Sequence, residues 1–359
     1  MENELAKQDR FKNIDFLRFI LAIIIMLFHS RKYFDIPTLN HGNICVDFFF
    51  IIAGFFLFKT SHNISTGKFV LKRFLRLAPM VWILTILVLI VSPFINEMNC
   101  YLNDNLLNFL LLNSTGLAPF TWGQNTGLDV NWFISNLFWI SIFYFYLQKS
   151  IDKKHLNLLV GLITFFSYIL YYSNNHFGTG GHSTVIYNFI TIGFLRGLGG
   201  IGISYFLVQL YNSTKNLKIS TMNKVIISGI EICLASFLIY YIIFSAKLPG
   251  QSGFLFISAF SILFYLFTIK QGILSQILEN DILAKLGKYT FSMYIMHYFM
   301  SYLLRFTLYP HFKTFIAQHN IISIILQSIL LTIIGIITYY LIENPINKRV
   351  KIILNKSVF

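Results

Sequence analysis

At 359 residues, 56% hydrophobic and 12% charged, with a mean hydropathy of +0.66, the chain carries too few charges for a water-soluble protein of its size and reads as a polytopic membrane protein. The net charge of +14 would suggest nucleic acid in a soluble protein, but here its placement follows membrane topology, so no nucleic-acid partner is expected. Cys45, Cys100 and Cys233 are odd in number and lack CxxC spacing, which leaves neither a disulfide framework nor a metal motif.

Apolar runs long enough to span occur at about 14–30, 44–59, 78–96, 131–148, 156–173, 185–210, 225–245, 252–269, 289–306 and 321–342. Ten spans put both termini on one side. Lys and Arg concentrate in the N-terminus, in 59–78, 149–155, 211–224 and 270–288, and in the C-terminal tail, whereas the opposite face has Arg31, Lys32, Lys247, Arg305 and Lys313. The positive-inside rule therefore places both termini in the cytoplasm. The expected fold is all-α: a single membrane domain over 1–359, with a cytoplasmic tail at 1–12 and a basic cytoplasmic tail at 345–359. No small-residue cleavage site follows the first span, which reads as an uncleaved anchor.

The first span, NIDFLRFILAIIIMLFHS, is apolar except for Asp15, Arg18 and His29. Arg18 and His29 are eleven residues apart, about three turns plus ~20°, so they leave one helical face roughly 16 Å apart along the axis. That pattern is either a polar track or a snorkelling arginine paired with Asp15 and a boundary histidine. Asp47 opens the second span, CVDFFFIIAGFFLF, at a depth similar to His29, and Gly54 there permits close helix approach.

Lys72, Arg73 and Arg76 precede Pro79, which suits the start of the third span. The i,i+3 spacing of Arg73 and Arg76 aims two guanidinium forks the same way, toward a diphosphate or phosphoadenosine or else toward lipid phosphates. The connection 97–130 carries Glu97, Asp104 and Asp129 with no Lys or Arg, as an exterior loop should, and suits a carbohydrate or lid role as well as an ordinary loop. His176 and His182 lie in an uncharged loop and fall short of a metal site.

Arg196 lies in a glycine-rich sixth span, which implies tight packing or a broken helix, and it needs a partner. Glu231, the carboxylate deep in the seventh span, is the expected one. Tyr294 and His297 sit one turn apart in the ninth span, and Glu343 and Pro345 end the tenth beside the basic tail.

These stretches together resemble the acyltransferase-3 family of bacterial membrane acyltransferases over almost the whole chain. The aspartate, Arg18 and His29 of the first span are similar to the family's opening, and VDFFFIIAGFFL to its second-span signature. RFLRLAP resembles the basic pattern before the third span, LGKYTFSMYIMH the tyrosine and histidine stretch, and LIENPINK the closing segment. WFISNLFWISIFY resembles the fourth span, but many members have a glutamate where this chain reads Ser135, Asn136 and Leu137, so no acidic role is carried over. The resemblance implies transfer of an acyl group from cytoplasmic acyl-CoA, acetyl-CoA in the first instance, to a hydroxyl of a cell-envelope glycan or its lipid-linked precursor. The implied location is the bacterial cytoplasmic membrane. Some relatives fuse an outer hydrolase-like domain; none is expected here, so transfer is direct or completed by a separate protein.

On this reading His29 is the general base, Arg18 lines the path of the pantetheine arm, and Lys72, Arg73 and Arg76 hold the phosphates. Tyr294 or His297 is the candidate oxyanion donor, and no metal takes part. Membrane lipids, a second copy of the chain and glycan-assembly proteins are the further partners considered. The rival readings are a transporter or flippase, with Arg18, Arg196 and His297 lining a conduction path, and a non-catalytic assembly subunit.

Overall fold

The computed structural model describes residues 10–31, 39–59, 64–94, 102–113, 115, 130–174, 185–186, 190–245, 253–307 and 309–356. Helices occupy all ten positions marked by hydropathy. They are α1 (Lys12–Ser30), α2 (Cys45–Lys59), α3 (Thr66–Val91), α5 (Asn131–Ser150), α6 (Lys153–Asn174), α7 (Ile192–Thr214), α8 (Thr221–Phe244), α9 (Gly253–Ile269), α12 (Thr290–Thr307) and α14 (Asn320–Thr338). Shorter helices fill connections: α4 (Leu102–Phe109), α10 (Ile273–Ile277), α11 (Asp281–Ala284) and α13 (Tyr309–Gln318). Among the described residues, seven segments are both long and apolar enough to cross a bilayer, which makes this an integral membrane protein. The apolar helix α9 has 17 residues, and α5 and α12 are diluted by Asn, Ser, Gln, Tyr and His side chains.

Several boundaries differ from the hydropathy reading, each for a local reason. Helix α3 starts at Thr66 rather than near Pro79, because the Ser65 hydroxyl accepts the Lys68 N–H at 3.2 Å and caps it. Lys72, Arg73 and Arg76 are therefore on the helix itself. The sixth span starts at Ile192 instead of 185, since Val185–Ile186 pairs antiparallel with Ile190–Thr191. The C-terminal segment is helical: α14 passes through a π-helical turn at Tyr339–Glu343 into α15 (Asn344–Lys356).

Helix α7 is continuous, so its glycines serve packing. A Cβ on Gly54 of α2 would lie 2.9 Å from the Ile201 Cα of α7, and one on Gly200 would lie 2.7 Å from Phe50. That backbone approach lets the Ser204 hydroxyl donate to the Ile51 carbonyl at 2.6 Å. The start of α1 is tied to the segment before α12. The Asn13 amide donates to the carbonyls of Phe267 (2.8 Å) and Ser275 (3.3 Å), and the Asn13 N–H donates to Glu279 at 3.1 Å. Lys12 pairs with Asp281 at 2.9 Å, a hydrogen bond that holds the Asp281 carboxyl below the usual carboxylate range. These ties fix where Arg18 can reach. Along α8, exposed Val225, Ile232 and Ile239 turn an apolar surface outward, as lipid contact requires.

Candidate active site

At the Lys12 end of the bundle, α1, α2, α3, α5 and α12 enclose a cavity of about 440 Å³. Arg18, Lys72, Arg73 and Arg76 all line it, with Asp15 the carboxylate in its wall. Four cationic groups from two helices thus converge on one space whose remaining lining, including Phe49, Phe69 and Phe133, is largely apolar. The α-helical i,i+3 spacing puts Arg73 and Arg76 on one face of α3, and the Arg73 guanidinium lies 5.3 Å from the centre of the Phe69 ring. Arg18 is held loosely. Its Nη1 is 3.7 Å from Asp15 Oδ1, and Asp15 already receives the Arg10 Nε–H at 2.9 Å.

Tyr294 of α12 closes the cavity's inner wall. Its hydroxyl donates to the Val130 carbonyl at 3.1 Å, and its ring packs 5.2 Å from Phe133. One turn farther along α12 is His297, 1% exposed, whose ring centre is 5.5 Å from that of Tyr294 and 5.2 Å from that of His29. His297 Nδ1 is 2.5 Å from the Tyr294 carbonyl oxygen. A carbonyl only accepts, so Nδ1 carries the proton and Nε2 holds a lone pair. That Nε2 is buried and has no hydrogen-bond partner among the described residues. His29 is half-buried, edge-on to Tyr298 at 5.4 Å. The common face of Arg18 and His29 thus runs from the basic cavity to a histidine pair, with Tyr294 between.

One sequence expectation is corrected. Arg196 does not pair with Glu231. Its Nε donates to Asp47 Oδ1 at 2.9 Å and its Nη2 to Asp47 Oδ2 at 2.6 Å and to the Asn43 carbonyl at 3.1 Å. Asp47 therefore uses both carboxylate oxygens on Arg196. The guanidinium also lies 5.0 Å from the Trp132 ring centre. Glu231 instead accepts the backbone N–H groups of Leu274 (2.9 Å) and Ser275 (3.1 Å). The reason is depth: Arg196 is near the first turn of α7, whereas Glu231 is midway along α8 beside the connection to α10. Neither residue lines the cavity.

Sequence reasoning gave Glu343 only a boundary role. It is buried, accepts the Ser292 hydroxyl at 2.6 Å, and lies within electrostatic range of Arg76 and Arg18. The rarity of carboxylates in spans was the signal that could have singled it out. Of the loop 97–130, residues 102–113, 115 and 130 are described and hold helix α4, while the rest, including Glu97, Cys100 and Asp129, lies outside the described residues, as do His176 and His182. Cys45 is buried and Cys233 exposed, both as free thiols.

A helical integral membrane protein with a cationic cavity leading to paired histidines is a scaffold for handling an anionic molecule next to a proton acceptor. The sequence profile of the acyltransferase-3 family, described as an acyltransferase domain, matches residues 11–342. The chain belongs to that family and is a membrane acyltransferase, which sets aside the transporter and assembly-subunit readings. Neither the curated proteins nor the solved structures returned a match.

Proposed function

We propose that this protein is an O-acyltransferase that takes an acyl group, in the first instance acetyl, from cytoplasmic acyl-CoA and places it on a hydroxyl of a cell-envelope glycan or its lipid-linked precursor. The observation that carries this reading is the convergence of Arg18, Lys72, Arg73 and Arg76 on one cavity whose inner wall, Tyr294, is one turn from the His29–His297 pair. Guanidinium forks suit phosphate oxygens, and the apolar remainder suits a pantetheine arm. Ten spans with both termini inside, in a bacterial cytoplasmic membrane, put the cavity on the donor side, in keeping with the Lys and Arg distribution. Reporter fusions near residues 65 and 152 should read cytoplasmic, and those near 115 and 180 external.

In the reaction His29 takes the proton of the acceptor hydroxyl as its oxygen attacks the thioester carbonyl. The tetrahedral intermediate then expels the CoA thiolate, which receives that proton from the imidazolium, leaving an ester and free CoA. The Tyr294 hydroxyl, engaged by Val130 in this state, becomes an oxyanion donor by turning from that carbonyl. His297, packed on His29 with a free Nε2 lone pair, is the second proton acceptor within reach.

The test is His29→Ala, purified in nanodiscs and assayed separately for acyl-CoA binding and for labelled acyl transfer. Loss of a general base should lower transfer by about 10² to 10⁴ while donor binding persists. Near-normal transfer would remove His29 from the mechanism and make His297 the base.

A further inference from the structure

Beyond the histidine pair, at the Ser30 end of the bundle, lies a layer of polar side chains that the donor cavity does not use. Gly335 of α14 packs on Met293 of α12, where an added Cβ would lie 3.1 Å from the Met293 Cα. The two helices run in opposite directions. Gln327 is eight residues before Gly335 and Ser301 eight residues after Met293, so both lie about 12 Å from that contact toward the same end. Ser301 in turn meets Ser30 of α1, oxygen to oxygen at 3.0 Å. Since Ser30 donates its proton to the Met26 carbonyl at 2.8 Å, Ser301 is the donor of the pair. Gln327 thus shares the level of Ser30, the residue next to His29.

Gln327 is 5% exposed, and neither its Nε2 nor its Oε1 has a hydrogen-bond partner among the described residues. Ser323, one turn farther out on the same buried stripe, also has an unpartnered hydroxyl. An unmet buried polar group is costly, and in a bilayer no water offsets it. A leucine would fill the Gln327 position without that cost. His297 Nε2, one turn inward, is unpartnered as well. The nearest charge along α12 is Arg305, one turn beyond Ser301, with its guanidinium 5.4 Å from the Phe306 ring centre.

We infer that Gln327, with Ser323, Ser301 and the histidine pair, forms the acceptor subsite, and that its ligand is a neutral polyhydroxylated compound such as a sugar. A primary amide both donates and accepts, which matches a hydroxyl, and the Arg31 guanidinium that follows Ser30 is taken up by the Leu39 carbonyl at 2.7 Å. The inference rests on the proposed function for the identity of the acceptor as substrate. The acceptor enters from the end opposite the donor cavity, and its reacting hydroxyl reaches His29 after its neighbouring hydroxyls meet Gln327.

Three measurements on protein in nanodiscs test this, with octyl β-D-glucoside as the probe. A Gln327→Cys variant should react with a charged methanethiosulfonate reagent at least about tenfold faster than Leu331→Cys, one turn inward, after subtraction of wild-type labelling. Equal rates would mean a closed core and overturn the subsite. Octyl β-D-glucoside should slow labelling of the Gln327→Cys thiol, and its failure to do so overturns the polyol assignment. Finally, Gln327→Leu should melt at or above the wild-type temperature, because it removes an unmet amide. A lower melting temperature would make Gln327 structural. None of these readouts needs turnover, so a protein that binds the glucoside here yet transfers no acyl group would count against the proposed function and not against this site.

Discussion

Arg18 and Arg196 both lie within the helical bundle, and they are held in opposite ways. Arg196 is 2% exposed, faces both oxygens of an equally buried Asp47, donates a third hydrogen bond to the Asn43 carbonyl and lies over Trp132. Arg18 is 29% exposed, faces a cavity, and has one carboxylate at 3.7 Å that it shares with Arg10. The first is a cross-link between α2 and α7 whose hydrogen-bonding capacity is largely met. The second keeps donors in reserve. In a membrane protein, where an idle charge is costly, the under-satisfied arginine suits the proposed ligand site and the satisfied one the scaffold.

The sharpest way to break this contrast is to remove each guanidinium. Arg196→Ala strands the Asp47 carboxylate, a loss of about 3–5 kcal/mol against a typical total of about 5–15 kcal/mol. Size-exclusion chromatography should show little monodisperse protein, and the Asp47→Leu/Arg196→Met double variant should recover much of it. A well-folded single variant would mean that the pair is dispensable. Arg18→Ala, by contrast, should purify at wild-type yield while acyl transfer falls by about 10- to 100-fold, the worth of a charge-assisted contact. Arg18→Lys sharpens the point: if Arg18 merely balances Asp15, the swap is silent, whereas loss of the planar fork lowers activity if it orients the donor.

The remaining cavity cations should give smaller effects. Arg73→Ala and Arg76→Ala should each raise the donor KM by roughly tenfold with a lesser change in kcat, since phosphate contacts remote from the reacting carbon bind ground and transition states alike. Steady-state kinetics with varied acyl-CoA reads this directly, and an equal fall in kcat and kcat/KM at constant KM would move these arginines into the transition state. Lys72 is exposed at the rim of the cavity. Its alanine variant should shift donor KM by less than about threefold, an effect that fades as salt is added.

Much of the site was legible in the chain. The helical repeat alone put Arg18 and His29 on one face, and the i,i+3 spacing paired Arg73 with Arg76. Partner choice was not legible. The sequence reading paired Arg196 with Glu231 rather than Asp47, because hydropathy places residues in depth only to within a turn or two. The start of α3 was also misplaced, because hydropathy registers the apolar run and is blind to a basic amphipathic turn capped by Ser65.

What the sequence determined by itself is therefore the positions of the apolar helices, the charge asymmetry and the candidate chemistry-bearing residues, because each depends on local composition and on the fixed 3.6-residue repeat. Tertiary structure decided which side chains meet: Asp47 with Arg196, Glu343 with Ser292, His29 with His297, and four cations around one cavity. Those choices depend on helix order, rotation and relative height in the bundle. They are set by backbone contacts such as Gly54 against Ile201 and by the Asn13 anchor of α1, between residues about 150 to 260 positions apart in the chain.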